Sequence, residues 1–332
     1  MPNCDLINTS YLPGTPDFPL VLQPAANDAR LVTWAGENRD FIEKQLLSHG
    51  AVLFRGFDID GAAEFEELIE VLYQRTIEYN ERSSPRSQVS GNIYTSTDYP
   101  ESQSIFLHNE NSYQNSWPMR IFFYCVTPPA KGGETPIADC RRVLSRIPPQ
   151  IRERFDEKKW MYIRNFDAGA GLQWQAVFQT DDRSLIEEYC RKNGIKVEWK
   201  GDDQARTSAV RPAISRHPQT GELVWFNHAA FFHVSTMELD VGEDLLTLFD
   251  EYDLPSNSYY GDGTKIESQV LDALREAYHR ETVQFQWKKG DLLAVDNMLV
   301  AHGRAAYSGP RKILVGMAEP MSWDNLQRFA IV

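Results

Sequence analysis

The sequence predicts a mainly β protein, an antiparallel sandwich or jelly roll wrapped by helices, that forms one domain over residues 1–332. Many short segments are rich in β-branched or aromatic residues and are separated by turn residues, which is typical of such folds. Helical periodicity is confined to a few intervening segments, and no repeat, low-complexity tract or linker divides the chain. The chain is long enough for two domains, but a single β-rich domain is often longer than an average domain.

The amino-terminal part predicts helix, strand and helix in succession. Residues 38–50, NRDFIEKQLLSHG, carry apolar side chains at helical spacing, and Gly50 supplies a left-handed end. AVLFRGF (51–57) predicts a strand, and GAAEFEELIEVLYQ (61–74) predicts a second helix. Residues 80–104 are rich in Ser, Pro, Gly and Asn, so we expect a long loop there that closes over a site as a lid.

Strands are expected to dominate the remainder of the chain. The segments with strand-like composition are IFFYCVTPP (121–129), KGGETPIAD (131–139), KVEWK, ELVWF, TVQFQW, DLLAVDN and KILVGMA. Helical patterns are found at 141–156, where Pro148 and Pro149 interrupt them, at 182–193, where Asp181 or Asp182 can cap and Gly194 can terminate, and at 241–251 and 267–280.

The charge balance excludes some classes of partner. The net charge of −13 and the isoelectric point near 5.1 lack the positive field that non-specific binding to nucleic acid requires. No run of eighteen apolar residues occurs, and the first residues have neither the charged start nor the apolar stretch of a signal peptide. We therefore expect a soluble, cytoplasmic protein that binds neither nucleic acid nor membrane.

The cysteines do not form a recognisable framework. Cys4, Cys125, Cys140 and Cys190 are few and widely separated, and no two form a CxxC pair. We expect them to be buried thiols.

A histidine and a carboxylate at short spacing suggest a metal site. In SIFLHNENSY, His108 and Glu110 are two residues apart after an apolar run, so both side chains leave one face of an extended backbone. A distant second histidine would complete the facial triad of non-haem Fe(II) oxygenases, which leaves three coordination positions open. A bare pair of this kind is a weak signal, and its weight depends on the rest of the chain.

His302 is the preferred third ligand. It follows a run that predicts a buried strand, DLLAVDNMLVA, and Gly303 after it permits close approach of another group. His233 is the second choice. The other histidines lie in a turn, at polar helical positions or beside an aromatic strand end: His49, His217, His228 and His279.

The chain after His302 predicts an anion site. A turn at SGP (308–310) followed by RKILVGMA predicts a hairpin that returns Arg311 to the side of His302. A guanidinium there can hold one carboxylate of a dicarboxylic cosubstrate whose other end chelates the metal. Thr135, in the predicted GGETPIAD strand, can add a hydroxyl hydrogen bond to the same carboxylate. Without the histidines, both residues would be interpreted as ordinary strand residues.

Several long motifs, in order along the chain, resemble the TauD/TfdA-like Fe(II)/2-oxoglutarate-dependent dioxygenases. They are GAVLFRGF, LHNENSY, PPAKGGETPIADCRRV, MYIRNFDAGAGLQWQAVFQT, HPQTGELVWFN, YYGDG and DNMLVAHGRAAYSGPRKILVGMAEP. They span nearly the whole chain. Within the family the sequence is most similar to the SyrP-like hydroxylases of non-ribosomal peptide biosynthesis.

The resemblance implies a double-stranded β-helix core, with iron held by His108, Glu110 and His302. It also implies that Arg311 holds 2-oxoglutarate with help from Thr135. In this class of enzymes, dioxygen and the decarboxylation of 2-oxoglutarate to succinate drive hydrogen abstraction from an unactivated C–H bond and its hydroxylation. A related halogenating group lacks the carboxylate ligand, so the presence of Glu110 favours hydroxylation.

The spacing of nine residues between His302 and Arg311 is shorter than in some relatives. Arg304 is therefore kept as a lesser candidate for the 2-oxoglutarate arginine.

Relatives of this kind commonly oxidise amino acids, either free or attached to a peptidyl carrier protein. The candidate substrate contacts are Asn109, Asn111, Ser112 and Arg164, although Arg164 also suits a structural role. Local positive charge for an acidic carrier would come from residues such as Arg141 and Arg142, against a net charge that opposes attraction. Neither the carbon that is attacked nor the oligomeric state follows from the sequence.

Two other functions stay open. The same iron chemistry can give desaturation, epimerisation or cyclisation, depending on how the substrate is placed. A non-oxidative metal-binding jelly-roll protein is less favoured, because structural zinc prefers four closed ligands and no cysteine lies near His108 in the sequence.

Overall fold

The computed structural model describes residues 7–25, 29–73, 88–95, 99–166, 172–201 and 203–329. Within these ranges the strands are β1 (Ile7–Tyr11), β2 (Leu20–Pro24), β3 (Ala51–Phe54), β4 (Gln88–Ser90), β5 (Ile93–Thr95), β6 (Ile105–His108), β7 (Ser116–Thr127), β8 (Lys131–Gly132), β9 (Ile137–Asp139), β10 (Trp160–Phe166), β11 (Ile195–Trp199), β12 (Ala205–Arg211), β13 (Ile214–Arg216), β14 (Leu223–Trp225), β15 (Ser256–Tyr260), β16 (Thr282–Val283), β17 (Leu292–Asp296), β18 (Val300–Arg304), β19 (Tyr307–Ser308) and β20 (Lys312–Ser322).

The helices surround these strands. They are α1 (Leu31–Glu37), α2 (Arg39–His49), α3 (Gly61–Leu72), α4 (Cys140–Arg146), α5 (Pro149–Lys158), α6 (Trp174–Phe178), α7 (Arg183–Lys192), α8 (Leu239–Leu248), α9 (Ser268–Glu281) and α10 (Trp323–Phe329). Several ends carry the predicted signals. Gly50 ends α2 with φ 75°, and the Asp182 side chain accepts a hydrogen bond from the Ser184 N–H at the start of α7.

In the described part of the chain, three sheets contain four or more strands. The major sheet has eight strands in the order β1-β2-β3-β17-β7-β20-β5-β4, and the minor sheet has four in the order β16-β9-β18-β6. A third sheet has the order β11-β12-β10-β15, and two-stranded pairs join β13 to β14 and β19 to β8. The mainly β class with surrounding helices, as predicted, is confirmed.

The central strand β7 shows why the major sheet forms. Its side chains alternate between two apolar environments, so nearly the whole strand is buried and reads as a continuous apolar run. Ile121 and Phe123 point into the core shared with the minor sheet. Phe122 and Tyr124 point the other way, into the core beneath α1–α3, where Tyr124 stacks on Phe65 with 5.4 Å between ring centroids. The major sheet is therefore covered on both faces.

Three local predictions differ from the structure. Part of the predicted loop 80–104 forms the edge strands β4 and β5, while residues 80–87 and 96–98 of it lie outside the described part of the chain. Only β16 of the predicted TVQFQW strand pairs, with β9. The SGP turn does not close a hairpin, because β20 joins β7 and β5 in the major sheet while β18 stays in the minor sheet.

Two expectations from composition can be compared with the structure. In the described ranges, no helix combines the length and apolar character needed to cross a bilayer. Cys125, Cys140 and Cys190 are buried free thiols, as expected, and Cys4 lies outside the described residues.

Candidate active site

The two histidines of the predicted triad are brought together by strand pairing. His108 ends β6, and His302 lies directly opposite it in the antiparallel strand β18. Cross-strand neighbours have side chains about 5 Å apart, and the ring centroids are separated by 4.6 Å. A bulge follows His302, and at Gly303 an added Cβ would lie 2.5 Å from the Ile105 carbonyl oxygen. The close approach expected at this glycine is therefore that of the strand that carries His108.

Glu110 completes the group. Its Oε2 is 3.8 Å from His108 Nε2 and 3.7 Å from His302 Nε2, too long for hydrogen bonds. One ligand atom from each of the three residues lies within 4.8 Å of the others. Two imidazoles and one carboxylate converge on one point, and this donor set fits the facial ligation of Fe(II).

The orientation of His108 is set by the main chain. Its Nδ1 lies 2.9 Å from the Phe106 carbonyl oxygen and donates a hydrogen bond to it, so Nε2 faces Glu110. Such a second hydrogen bond is the usual way in which a ligating imidazole is fixed. The ring of His302 packs against Phe123 of β7 at 5.0 Å. The triad thus lies between the major and minor sheets.

The two candidate cosubstrate arginines have different surroundings. Arg304 donates to the main-chain carbonyls of Tyr99, Pro100 and Gln103 at 2.6–2.9 Å, so its guanidinium holds that segment in place. Arg311 precedes β20, and its Nε donates to the Gly133 carbonyl at 2.9 Å. This contrast favours Arg311 as the anion-binding residue.

The electrostatics at Arg311 also suit an anion. Burial, and next the positive charge of Arg304, lower the pKa of Arg311 to about 10, so the side chain is still charged at neutral pH. Both guanidinium groups lie over the ring of Tyr307, at 5.4 Å for Arg311 and 5.3 Å for Arg304. A carboxylate placed here would gain the attraction of two cations.

Thr135 is buried just before β9, in the link from β8 and not in a strand as predicted. Its hydroxyl oxygen accepts a hydrogen bond from Trp287 Nε1 at 3.2 Å. The hydroxyl proton remains able to donate to an acceptor such as a carboxylate.

A cavity of about 560 Å³ opens beside the triad. His108 and Glu110 line it, together with an aromatic wall in which Tyr162 and Phe232 stack with centroids 4.0 Å apart. Volumes of this size hold small-molecule ligands. The cavity is therefore the candidate substrate pocket.

Two of the predicted substrate residues face this cavity. Arg164, on β10, lines it, and among the described residues its guanidinium has no carboxylate partner; it lies over the Phe166 ring at 5.1 Å. Asn111 also lines the cavity, and its φ of 58° places it in the left-handed region that asparagine tolerates. These two residues bring a cation and an amide to the cavity wall.

The other two predicted contacts are corrected by the structure. Asn109 is fully buried, and its side-chain amide donates to the carbonyls of Asn297 and Val300. Ser112 is likewise buried, with its hydroxyl 2.6 Å from Nδ1 of His228. Alternation along a strand no longer applies after β6 ends at His108, so these side chains turn into the protein and not into the cavity.

His228 is a cavity residue that sequence reasoning passed over. Its ring stacks on Phe232 at 4.7 Å and lies 5.5 Å from the His108 ring. Burial, and next the His108 ring, lower the pKa of His228 well below its usual value, so it is neutral. The sequence around His228 gave no indication that its side chain lines the cavity. Its ring is held there by a contact with Ser112, which is distant in the sequence.

A family model described as "Taurine catabolism dioxygenase TauD, TfdA family" matches residues 13–318. The chain belongs to this family of dioxygenases. It is 41% identical over 280 residues to the dapdiamide synthesis protein DdaC of Enterobacter agglomerans, covering 84% of this chain and 85% of that protein. It is 29% identical over 292 residues to a clavaminate synthase-like protein of Arabidopsis thaliana, covering 85% of each.

Solved structures show the same fold. PvcB, an Fe, alpha-ketoglutarate dependent oxygenase from an isonitrile synthetic pathway, superposes with a TM-score of 0.57 at 16% identity, covering 94% of this chain and 90% of that chain. The predicted jelly-roll core is confirmed. The enzyme is a dioxygenase that uses Fe(II), 2-oxoglutarate and dioxygen.

Proposed function

We propose that this dioxygenase hydroxylates an unactivated C–H bond of an amino-acid-like small molecule in natural-product biosynthesis. The observation that carries the proposal is the convergence of His108, Glu110 and His302, with His108 and Glu110 lining an aromatic cavity. The relative named for dapdiamide synthesis supports the biosynthetic context. Retention of the carboxylate ligand Glu110 supports hydroxylation over halogenation.

In this proposal the protein supplies ligands, orientation and charge. Iron would be held by His108, Glu110 and His302, and when bound it supplies the redox chemistry that activates dioxygen. The Phe106 carbonyl keeps the His108 proton on Nδ1 and so keeps Nε2 available as a ligand. Arg311 would bind the distal carboxylate of 2-oxoglutarate, with the Thr135 hydroxyl as a further donor.

The cavity wall supports a substrate that carries an anionic group. Arg164 would bind a carboxylate of the substrate, and Asn111 would donate or accept a hydrogen bond nearer the triad. The rings of Tyr113, Tyr162 and Phe232 would cover the apolar part and exclude water from it. A free amino acid and one tethered to a carrier protein both remain candidates for this arrangement.

The test is mass spectrometry of candidate amino acids, free and tethered to a peptidyl carrier, after incubation with Fe(II), 2-oxoglutarate and dioxygen. We expect the mass of one product to increase by one oxygen, with succinate formed in equal amount. A loss of two hydrogens would replace hydroxylation by desaturation. The matched control is Glu110→Ala, which lacks the carboxylate ligand; full product formation by this variant would refute the assigned site.

A further inference from the structure

One asparagine side chain pairs both main-chain polar groups of Glu110. Asn297 is fully buried, directly after β17. Its Oδ1 accepts a hydrogen bond from the Glu110 N–H at 2.8 Å, and its Nδ2 donates to the Glu110 carbonyl at 2.9 Å. The same Nδ2 donates to the Pro118 carbonyl at 2.9 Å. The amide therefore acts on Glu110 as a neighbouring strand would.

Asn297 takes the place of a neighbouring strand, because no strand in the described part of the chain pairs with the Glu110 backbone. The strand β6 ends at His108, and Asn111 already has a left-handed φ of 58°. Glu110 itself is only 4% exposed. A buried N–H or carbonyl that loses its hydrogen bond destabilises the conformation that buries it, so the Asn297 amide helps the backbone to keep this path.

A second asparagine, next to Glu110 in the sequence, forms hydrogen bonds from its side chain back to the segment that carries Asn297. Asn109 Nδ2 donates to the Asn297 carbonyl at 2.7 Å and to the Val300 carbonyl at 3.3 Å. Val300 is the first residue of β18, which carries His302. The two chain segments that hold the triad are thus joined by side-chain-to-backbone hydrogen bonds that do not involve any metal.

The segment that carries Asn297 is itself anchored. The Asn297 N–H donates to the Met119 carbonyl at 2.9 Å. The preceding Asp296 accepts from the N–H groups of Met298 and Leu299 at 3.0 Å each, and its other oxygen pairs with Arg120. Asn297 therefore acts from a rigid support.

We propose that Asn297 is a positioning residue that holds Glu110 in ligand geometry, so that the metal meets a site that is already arranged. This inference rests on the proposed role of Glu110 as a ligand. It assigns to Asn297 a contribution to metal affinity that is separate from its contribution to folding.

Changes to residues that orient metal ligands typically weaken metal binding by about 10- to 100-fold. Asn297→Ala removes three hydrogen bonds, two of them to the buried main chain of Glu110. Asn297→Asp keeps an acceptor for the N–H but places a carboxylate oxygen against two carbonyls. Both variants are expected to bind the metal about 10- to 100-fold more weakly than the wild type.

The experiment is calorimetric titration of the full chain with Mn(II), as a redox-stable substitute for Fe(II), in the absence of 2-oxoglutarate. The control is Asn38→Ala, which removes a buried asparagine that donates to the Trp34 carbonyl at 2.8 Å on the helical side of the major sheet. Asn38→Ala should lower thermal stability and leave Mn(II) affinity within about twofold. Mn(II) affinities of the Asn297 variants that equal the wild-type affinity would overturn the inference.

A measurement on the wild type covers the case in which the Asn297 variants do not fold. In metal-free protein the Glu110 amide should exchange its hydrogen slowly, because Asn297 accepts its hydrogen bond; exchange at the rate of an exposed amide would overturn the inference. If His302→Ala binds Mn(II) as tightly as the wild type, the ligand assignment itself fails. The two failures are therefore distinguishable.

Discussion

Gly303 sets the distance between the two strands that carry the histidines, so Gly303→Ala should separate them. The added Cβ would lie 2.5 Å from the Ile105 carbonyl oxygen and 3.4 Å from the Leu107 nitrogen. An ordinary contact begins near 3.4 Å, so β6 and β18 must move apart by roughly 0.9 Å, the difference between 3.4 and 2.5 Å. The obstacle is backbone and not a flexible side chain, so it cannot move aside cheaply.

The consequence for activity follows from where the displacement occurs. Gly303 is adjacent to His302, and Ile105 lies on the strand that ends at His108. A misplacement of about 1 Å in a catalytic arrangement can reduce activity on the order of 100-fold, and overpacking typically destabilises a fold by about 1–3 kcal/mol. We expect about 100-fold lower kcat/KM for 2-oxoglutarate decarboxylation and weaker Mn(II) binding.

The assay measures succinate formation and Mn(II) affinity, with urea denaturation to report stability. Gly201→Ala is the matched control, because among the described residues no atom lies within 4 Å of the Cβ that it would add. A Gly303→Ala enzyme with wild-type turnover and wild-type Mn(II) affinity would refute the reasoning, since it would show that the strands adjust without moving the ligands.

Three further predictions concern charged groups. Arg311→Ala should raise the KM for 2-oxoglutarate on the order of 100-fold, from loss of a buried charge pair worth about 3 kcal/mol. Arg304→Lys should mainly lower the melting temperature, with a smaller effect on that KM than Arg311→Ala has. If Arg304→Lys raises the KM more than Arg311→Ala does, the two arginines exchange their assigned roles. Arg164→Gln should raise the KM for the substrate identified by mass spectrometry about 10- to 100-fold, and an unchanged KM would leave Arg164 a structural role. Burial lowers the pKa of His233 to about 4, from 6.5, so its stabilising contribution is complete above pH 6.5 and is lost as the pH falls toward 4. Urea denaturation should show about 2 kcal/mol less stability at pH 5 than at pH 7 from this group, and His233→Gln should remove that difference.

Local sequence patterns were sufficient for most helices and strands. The period of apolar residues and the end signals, such as Gly50 after α2 and Asp182 before α7, act within a few residues and hardly depend on the rest of the fold. The choice of His302 also followed from local context, because an apolar run that predicts a buried strand comes before it and a glycine follows it. Local sequence patterns do not show that the three triad residues meet. Their meeting depends on the pairing of β6 with β18, which joins positions nearly two hundred residues apart.

The predicted anion site shows where reasoning from local sequence failed. The SGP turn predicted a hairpin beside His302. Instead, β20 is a long strand with apolar side chains on both faces, and pairing with β7 in the major sheet buries both of these faces. Arg311 therefore lies directly before a strand of the major sheet, whereas His302 lies in the minor sheet. In the sequence, Arg304 and Arg311 are both arginines near His302. In the structure, the guanidinium of Arg304 differs by its hydrogen bonds to three main-chain carbonyls.

The sequence by itself determined the residue types that the chemistry needs and the elements on which they lie, because periodicity, caps and spacing act over one or two turns of chain. The tertiary structure decided the directions of side chains where no regular element constrains them. Asn109 and Ser112 turned inward, His228 reached the cavity wall, and Asn297 came to support Glu110. Those directions depend on which distant backbone groups need hydrogen bonds, and that demand exists only once the sheets have packed.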